Sequence, residues 1–149
     1  METITEKLFE ELQEILEKNI DAVRGYRKAA ENTDNLALKS YFERKSDERS
    51  KFNVDLRTKI KANYPDFDEH GSFTGTIHRA WMDIKSLFSA NDAEAMLEES
   101  IRGDRAAIDE YNDVIERENL PSDLRDLLLQ QKNRIEADIN KNNSLENLS

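Results

Sequence analysis

The sequence predicts an all-α protein in which four long amphipathic helices form one bundle. Four stretches carry apolar residues at spacings of three and four, the periodicity of a helix with one buried face. No stretch has the pattern of a strand, and 149 residues include only 4 Gly and 2 Pro to interrupt helices. A chain of this length can form one core without disulfides. We predict one bundle domain over residues 1–141 and a flexible tail over residues 142–149.

The first two helices are predicted at about Ile4 to Glu31 and Leu36 to Asn63. Residues 32–35 between them read Asn-Thr-Asp-Asn, and such short polar side chains favour turns and helix caps. Because this connection is short, the second helix is expected to run back along the first. The apolar stripes include Leu8, Leu12, Ile15, Ala22, Tyr26 and Ala29, then Leu38, Phe42, Phe52, Leu56 and Ile60.

The main break in the pattern lies at Tyr64 to Thr76, which holds one proline and half of the 4 Gly. A short amphipathic helix is predicted next, from Ile77 to Phe88. Its tryptophan, Trp81, either covers one end of the bundle or forms a small recognition patch with His78 and Arg79.

The third helix is predicted from about Ala93 to Arg117, after a turn that can supply its N-cap. Pro121 follows it and cannot continue a helix. The fourth helix is predicted from about Leu124 to Asn140, with Ser122 or Asp123 as its cap.

The long connection between the second and third helices bears on the topology. It has about 28 residues and can travel the length of the bundle, since a helix of about 25 residues measures roughly 38 Å. The second and third helices can therefore run parallel, as they do in ferritin-like bundles.

Composition excludes several classes of function. The 22 Lys and Arg against 32 Asp and Glu give a net charge of −10, so nucleic acid is not an expected partner. The absence of Cys excludes disulfides, Cys-ligated zinc, iron–sulfur clusters and thiol catalysis. The first residues alternate charged and apolar side chains, unlike a secretory signal, and no apolar run approaches the about 20 residues that span a bilayer. We expect a cytoplasmic protein without a membrane partner.

Five polar residues fall on or beside the apolar stripes, near the middle of the predicted bundle. The simplest arrangement lets the long basic side chains reach solvent from the edge of the stripe. A second arrangement is a buried network in which the aspartate pairs with one of the two cations and the amides satisfy the remaining hydrogen bonds. A third is a metal or ligand site. This candidate polar core layer consists of Asn19, Lys45, Arg49, Asp104 and Gln131.

The sequence contains no recognisable catalytic or cofactor-binding motif. A carboxylate-bridged dimetal site in a four-helix bundle uses Glu-x-x-His on two helices. His70 and His78 do not fit, because Phe67 and Gly75 stand three residues before them. No cofactor is predicted, although a metal ion held only by carboxylates stays open. Its candidate ligands are Asp47, Glu48, Glu98, Glu99 and Asp104.

The two halves of the chain share a weak internal repeat. Tyr26 follows Asn19 by seven residues, and Tyr111 follows Asp104 by the same interval. The halves are either pseudo-symmetric or merely similar amphipathic helices. A small-ligand pocket between the helices at Tyr26, Tyr111 and Asn19 is a further possibility. Gly103, like the other glycine within a helix, is explained by close approach of a neighbouring helix.

The segments Gly25–Glu31, His78–Lys85 and Leu97–Asp104 resemble an uncharacterised bacterial family of ferritin-like four-helix-bundle proteins, a domain of unknown function. The resemblance covers about Leu12 to Ile139. The resemblance implies the ferritin-like fold and no established activity. Asp104 matches an acidic position of the family, but Val23 and Arg105 stand where acids are expected, as does Arg24, which disfavours a metal site.

Two functions follow as hypotheses. The first is a non-enzymatic bundle, associated with stress, that acts through self-association or a protein partner and presents Trp81 or Phe73 on its surface. The alternative is a divergent carboxylate-based protein that binds iron or manganese. The second hypothesis rests mainly on fold analogy.

Overall fold

The computed structural model describes residues 3–69, 80–83 and 92–148. Within these ranges the chain forms four long α-helices and no strand, which confirms the all-α prediction. The helices are α1 (Ile4–Asn32), α2 (Leu36–Asn63), α3 (Ala93–Ile115) and α4 (Ser122–Lys141). All four lie close to their predicted positions, and none has a stretch long and apolar enough to cross a membrane.

Side-chain caps define where the first three helices begin. Thr3 accepts the Glu6 N–H at 3.0 Å, and the Glu6 carboxylate accepts the Thr3 N–H at 3.2 Å. Asn35 caps α2 and Asp92 caps α3, each through a 3.0 Å hydrogen bond from a backbone N–H of the first turn. These bonds satisfy donors that a helix start leaves without a partner.

The start of α4 differs from the prediction. Pro121, rather than Ser122 or Asp123, occupies the N-cap, and no side-chain cap bond is present there. Proline fixes φ near the helical value, so the helix begins directly after it. Arg125 supports this corner from the other side, because its Nε donates to the carbonyl of Ile115 at 3.1 Å, where α3 ends.

Hydrogen bonds between helices establish the topology. Tyr41 contacts Ser100 at 3.0 Å and Lys45 contacts Asp104 at 2.5 Å, so residue numbers rise together along α2 and α3 and these helices are parallel. Helix α1 packs beside α2 and α3, and α4 packs beside the same two. Helices α2 and α3 therefore lie on a diagonal of the bundle, an arrangement that the long connection allows.

Among the described residues, the apolar core consists of two clusters. The large cluster occupies the bundle end that holds the N-terminus of α1 and extends along α4. The small cluster occupies the other end. The large cluster includes Leu12, Ile15, Phe52, Leu56, Ala107, Tyr111, Leu124, Leu128 and Ile135. The small cluster includes Ala22, Tyr26, Ala29, Leu38, Tyr41, Phe42, Met82, Met96 and Leu97.

Residues 80–83, in the connection between α2 and α3, are not helical, which corrects the predicted short helix at this point. The rest of that prediction, together with His70, Phe73 and His78, lies outside the described residues. Met82 packs against α3, because Gly103 has no side chain. A Cβ on Gly103 would lie 2.7 Å from the Met82 Cβ. The close approach at this glycine is therefore made by the connection and not by another helix.

Residues 142–148 fold back onto the bundle. They contain one 3-10 turn, Leu145–Asn147, which contacts α3. Asn142 is buried, and Leu145 and Leu148 pack against the small cluster.

Candidate functional site

The polar core layer lies where the two apolar clusters meet. Along α1 the large cluster ends at Leu16 and the small cluster begins at Ala22, with Asn19 between them. All five residues are at most 2% exposed: Asn19, Lys45, Arg49, Asp104 and Gln131. The expectation that the basic side chains reach solvent is therefore wrong. Their positions on the inner face of α2 point them toward the opposite helix instead of toward an edge.

Asp104 is the centre of this layer. Its Oδ1 accepts hydrogen bonds from the Tyr26 hydroxyl at 2.9 Å and from the Arg49 guanidinium at 2.6 Å. Its Oδ2 accepts from the Lys45 ammonium at 2.5 Å. One carboxylate on α3 thus joins α1 and the diagonal helix α2, and it pairs with both cations rather than with one of them.

Lys45 has a second carboxylate partner, Asp138 of α4, at 3.1 Å. Its ammonium also lies 5.1 Å and 5.2 Å from the ring centroids of Tyr26 and Tyr41, within the range of cation–π attraction. Burial favours the neutral amine, but Asp104, Tyr26 and Tyr41 together outweigh this effect, and the pKa of Lys45 is raised well above its ordinary value. The charged form of Lys45 is therefore the favoured one.

Arg49 extends the network toward α1 and the connection. Its guanidinium donates to the Asn19 side-chain oxygen at 3.5 Å and stacks over the ring of Trp81, 5.7 Å from the centroid. The Trp81 indole N–H donates to Glu110 at 3.3 Å. Trp81 is only 5% exposed and lies at the level of the polar layer. Trp81 therefore does not cover an end of the bundle, and it does not form an exposed recognition patch. Its ring instead shields the buried guanidinium of Arg49.

Tyr111 continues the network to α4. Asn19 donates to the Tyr111 hydroxyl at 3.3 Å, and that hydroxyl donates to the Gln131 side-chain oxygen at 2.7 Å. Gln131 in turn donates to the backbone carbonyl of Phe52 at 3.0 Å. Burial raises the pKa of Tyr111 to about 12, so the hydroxyl stays protonated as this donor. All five residues of the layer therefore belong to one hydrogen-bonded network that joins the four helices.

The residues of the internal repeat are hydrogen-bonded to each other in this network. Helices α1 and α3 are antiparallel, so Asn19 faces Tyr111 and Tyr26 faces Asp104. Each polar residue of one helix is hydrogen-bonded to the tyrosine of the other. This reciprocal pairing is what a pseudo-two-fold axis between the halves produces.

Three members of the site were missed in the sequence. Tyr41 and Ser100 hydrogen-bond to each other at 3.0 Å, and Asp138 binds Lys45. Helical spacing carried a usable signal, because Tyr41 and Ser100 each stand four residues before a member of the layer. Asp138 likewise stands seven residues after Gln131, on the same side of α4.

The carboxylates considered as metal ligands do not converge. No group of three or more His, Asp or Glu residues within the described ranges could hold a metal ion. Both carboxylate oxygens of Asp104 are bound by Lys45 and Arg49, and Glu99 is paired with Arg102. Glu98 is exposed on α3, and Glu48 faces the groove between α2 and α4.

The space considered as a possible ligand pocket between the helices is filled by side chains. The cavity beside Tyr26, Arg49 and Trp81 has a volume of about 10 Å³. That is space for about one water molecule. Asn19 and Tyr111 are fully buried. The tyrosines are core aromatics with bonded hydroxyls, and they do not line a small-molecule site.

Residues 7–117 match the family described as Domain of unknown function (DUF2383). The chain belongs to this family. The match covers α1, α2, the connection and α3, and it includes every member of the polar layer except Gln131. No curated protein and no solved structure matched the chain. The DUF2383 description carries no activity, so function has to be argued from the site.

Proposed function

We propose that this DUF2383 protein is a ferritin-like bundle without a catalytic or metal centre, and that it acts through self-association or a protein partner. The observation that carries the proposal is the pairing of Asp104 with both Lys45 and Arg49 at the centre of the bundle. In that position both carboxylate oxygens of Asp104 already accept hydrogen bonds from cations of the chain itself.

The ferritin-like part is supported by the topology. Helices α2 and α3 are parallel, diagonal and joined by a long connection, which is the pattern of a bundle with one crossover. The hydrogen bonds of Asn19 with Tyr111 and of Tyr26 with Asp104 are reciprocal, which supports an internal two-fold relation between the two halves of the chain.

The central layer has a composition that opposes metal binding. Dimetal sites in such bundles need carboxylates on all four helices, with histidines on two of them. Here α1 and α4 contribute the amides Asn19 and Gln131, and α2 contributes Lys45 and Arg49. Two buried cations next to Asp104 repel a metal ion, and they occupy both oxygens with which this carboxylate would bind it.

The closed centre directs function to the surface. Substrate sites are concave and commonly enclose hundreds of Å³, whereas the cavity at Tyr26 and Arg49 holds about 10 Å³. We therefore assign the activity of the protein to contacts made by its outer helix faces.

Metal content tests the first half of this proposal. Protein purified without a histidine tag is analysed by elemental mass spectrometry before and after anaerobic incubation with ferrous iron, followed by desalting. We expect no stoichiometric metal in either sample. Near-stoichiometric iron or manganese in the native protein would overturn the proposal, provided that Asp104→Asn loses it and thereby places the metal at the centre.

Association tests the second half. A chain that sediments as a monomer at high concentration, and that also retains no protein partner in pull-down from its own cell extract, would contradict it.

A further inference from the structure

An open groove runs along the surface between α2 and α4. Two adjoining cavities of about 320 and 500 Å³ form it. Arg44, Glu48 and Arg134 line both cavities, so the two are continuous. We call this surface the α2–α4 groove. Its lining also includes Phe52 and Leu127.

The corresponding groove between α1 and α3 is already occupied. Trp81 and Met82 of the connection lie in it, against Gly103. By contrast, Arg134 and Lys141 are exposed along the α2–α4 groove. Of these two grooves, the one between α1 and α3 is filled, and the α2–α4 groove is open among the described residues.

Several charges in the α2–α4 groove are paired within the chain. Lys51 binds Asp55 at 2.9 Å, and Arg44 binds Asp138 at 3.1 Å. These pairs leave the groove walls neutral at those points.

Four other charged side chains of the groove form no ion pair with any described residue. The two acidic ones lie on one wall and the two basic ones on the other. Asp47 and Glu48 lie on the α2 wall, and Arg134 and Lys141 lie on the α4 wall. Burial raises the pKa of Glu48, so this carboxylate gains from a cation placed against it. One wall is acidic and the other basic.

We propose that the α2–α4 groove is the face through which two copies of this chain form a symmetric dimer, with the acidic α2 wall of each copy against the basic α4 wall of the other. The proposal rests on the proposed function, because it names a second copy as the protein partner. A two-fold axis makes each contact occur twice, so Glu48 meets the partner's Arg134 and Arg134 meets the partner's Glu48.

Charge also explains why this face is selected. Each copy carries a net charge of −10, so two copies repel one another in most orientations. Opposed acidic and basic walls are the orientation in which that repulsion is replaced by attraction. Complementary charge of this kind determines register and partner choice more than it determines affinity.

Charge reversal gives a test with a distinctive signature. Sedimentation velocity over a concentration series is expected to show a dimer for the unmodified chain. Glu48→Arg and Arg134→Glu should each weaken it by about 100-fold or more, since like charges then face each other twice. An equimolar mixture of the two variants should restore a dimer, because in the mixed pair a positive side chain again faces a negative one at both contacts.

The controls reverse charges on the exposed face of α3. Glu98→Arg and Arg105→Glu make the same two changes away from the groove and should leave the dimer intact. Circular dichroism shows whether every variant is folded. A monomeric unmodified chain, a dimer insensitive to both groove reversals, or failure of the mixture to reassociate would overturn this inference. A metal-free monomer that binds another protein would overturn the dimer while leaving the proposed function intact.

Discussion

Substitution of Asp104 by asparagine isolates the charge that balances the centre of the bundle. The side chain keeps its size, so no cavity is created and the effect is electrostatic. Asp104 is fully buried and accepts from Lys45 at 2.5 Å and Arg49 at 2.6 Å. Neutralising Asp104 leaves two buried cations. Lys45 still contacts the carboxylate of Asp138, but Arg49 does not.

The expected magnitude follows from which partners remain. Lys45 retains the carboxylate of Asp138 at 3.1 Å, whereas the partners that Arg49 retains are neutral: the Asn19 oxygen at 3.5 Å and the ring of Trp81. Leaving one buried charge without its counter-ion costs about 3–5 kcal/mol. Because a domain of this size has a free energy of unfolding of about 5–15 kcal/mol, Asp104→Asn should remain folded but be markedly less stable.

Urea unfolding followed by circular dichroism measures this change as a shift of the midpoint at constant slope. Asp109→Asn, on the exposed face of the same helix, is the matched control and should change stability by no more than about 0.5 kcal/mol. In a background carrying Arg49→Met, the loss caused by Asp104→Asn should shrink by about 0.5–3 kcal/mol, because no arginine is left unpaired. An Asp104→Asn effect as small as that of the control would refute the buried ion pairs.

Two further predictions use other parts of the core. Gly103→Ala places a Cβ 2.7 Å from that of Met82, so residues 80–83 should move outward. The fluorescence emission of Trp81, the chain's one tryptophan, should then shift to the red and become quenchable by acrylamide. Unchanged emission would contradict the contact between Gly103 and Met82. Tyr111 has a pKa raised to about 12, so the folded state holds its proton more tightly than the unfolded state. Stability should therefore fall as pH rises from 10 to 12, by about 3 kcal/mol for this residue. Absorbance at 295 nm of a Tyr64→Phe variant, which removes the one half-buried tyrosine, should show tyrosine ionisation together with loss of helix. Ionisation near pH 10 in a still-helical variant would contradict this.

The four helices could be predicted from the sequence because their signals are local. Apolar periodicity, the polar turn at residues 32–35 and the proline at 121 each act within a few residues of the chain. The predicted start of α4, at about Leu124, was two residues too late, since a proline N-cap makes no side-chain bond for a sequence pattern to reveal.

The polar layer was only partly predictable. Helical spacing identified its five members, but it could not distinguish a lysine that reaches solvent from one that crosses the core. That distinction depends on the parallel, diagonal placement of α2 and α3, which brings Lys45 and Arg49 to the same carboxylate. Asp138 follows from the same geometry, because α4 places it against Lys45.

Periodicity and turn chemistry therefore account for the helices, their approximate ends and the level at which polar residues interrupt the core. Which side chains of the polar layer contact each other was decided by the packing of the helices. Asp104 pairs with two cations because the placement of α2 beside α3 brings Lys45 and Arg49, one helical turn apart on α2, to the same carboxylate. Trp81 covers Arg49 because Gly103 lets a distant segment approach α3. These contacts join residues far apart in the chain, and their distances arise only when the helices pack together.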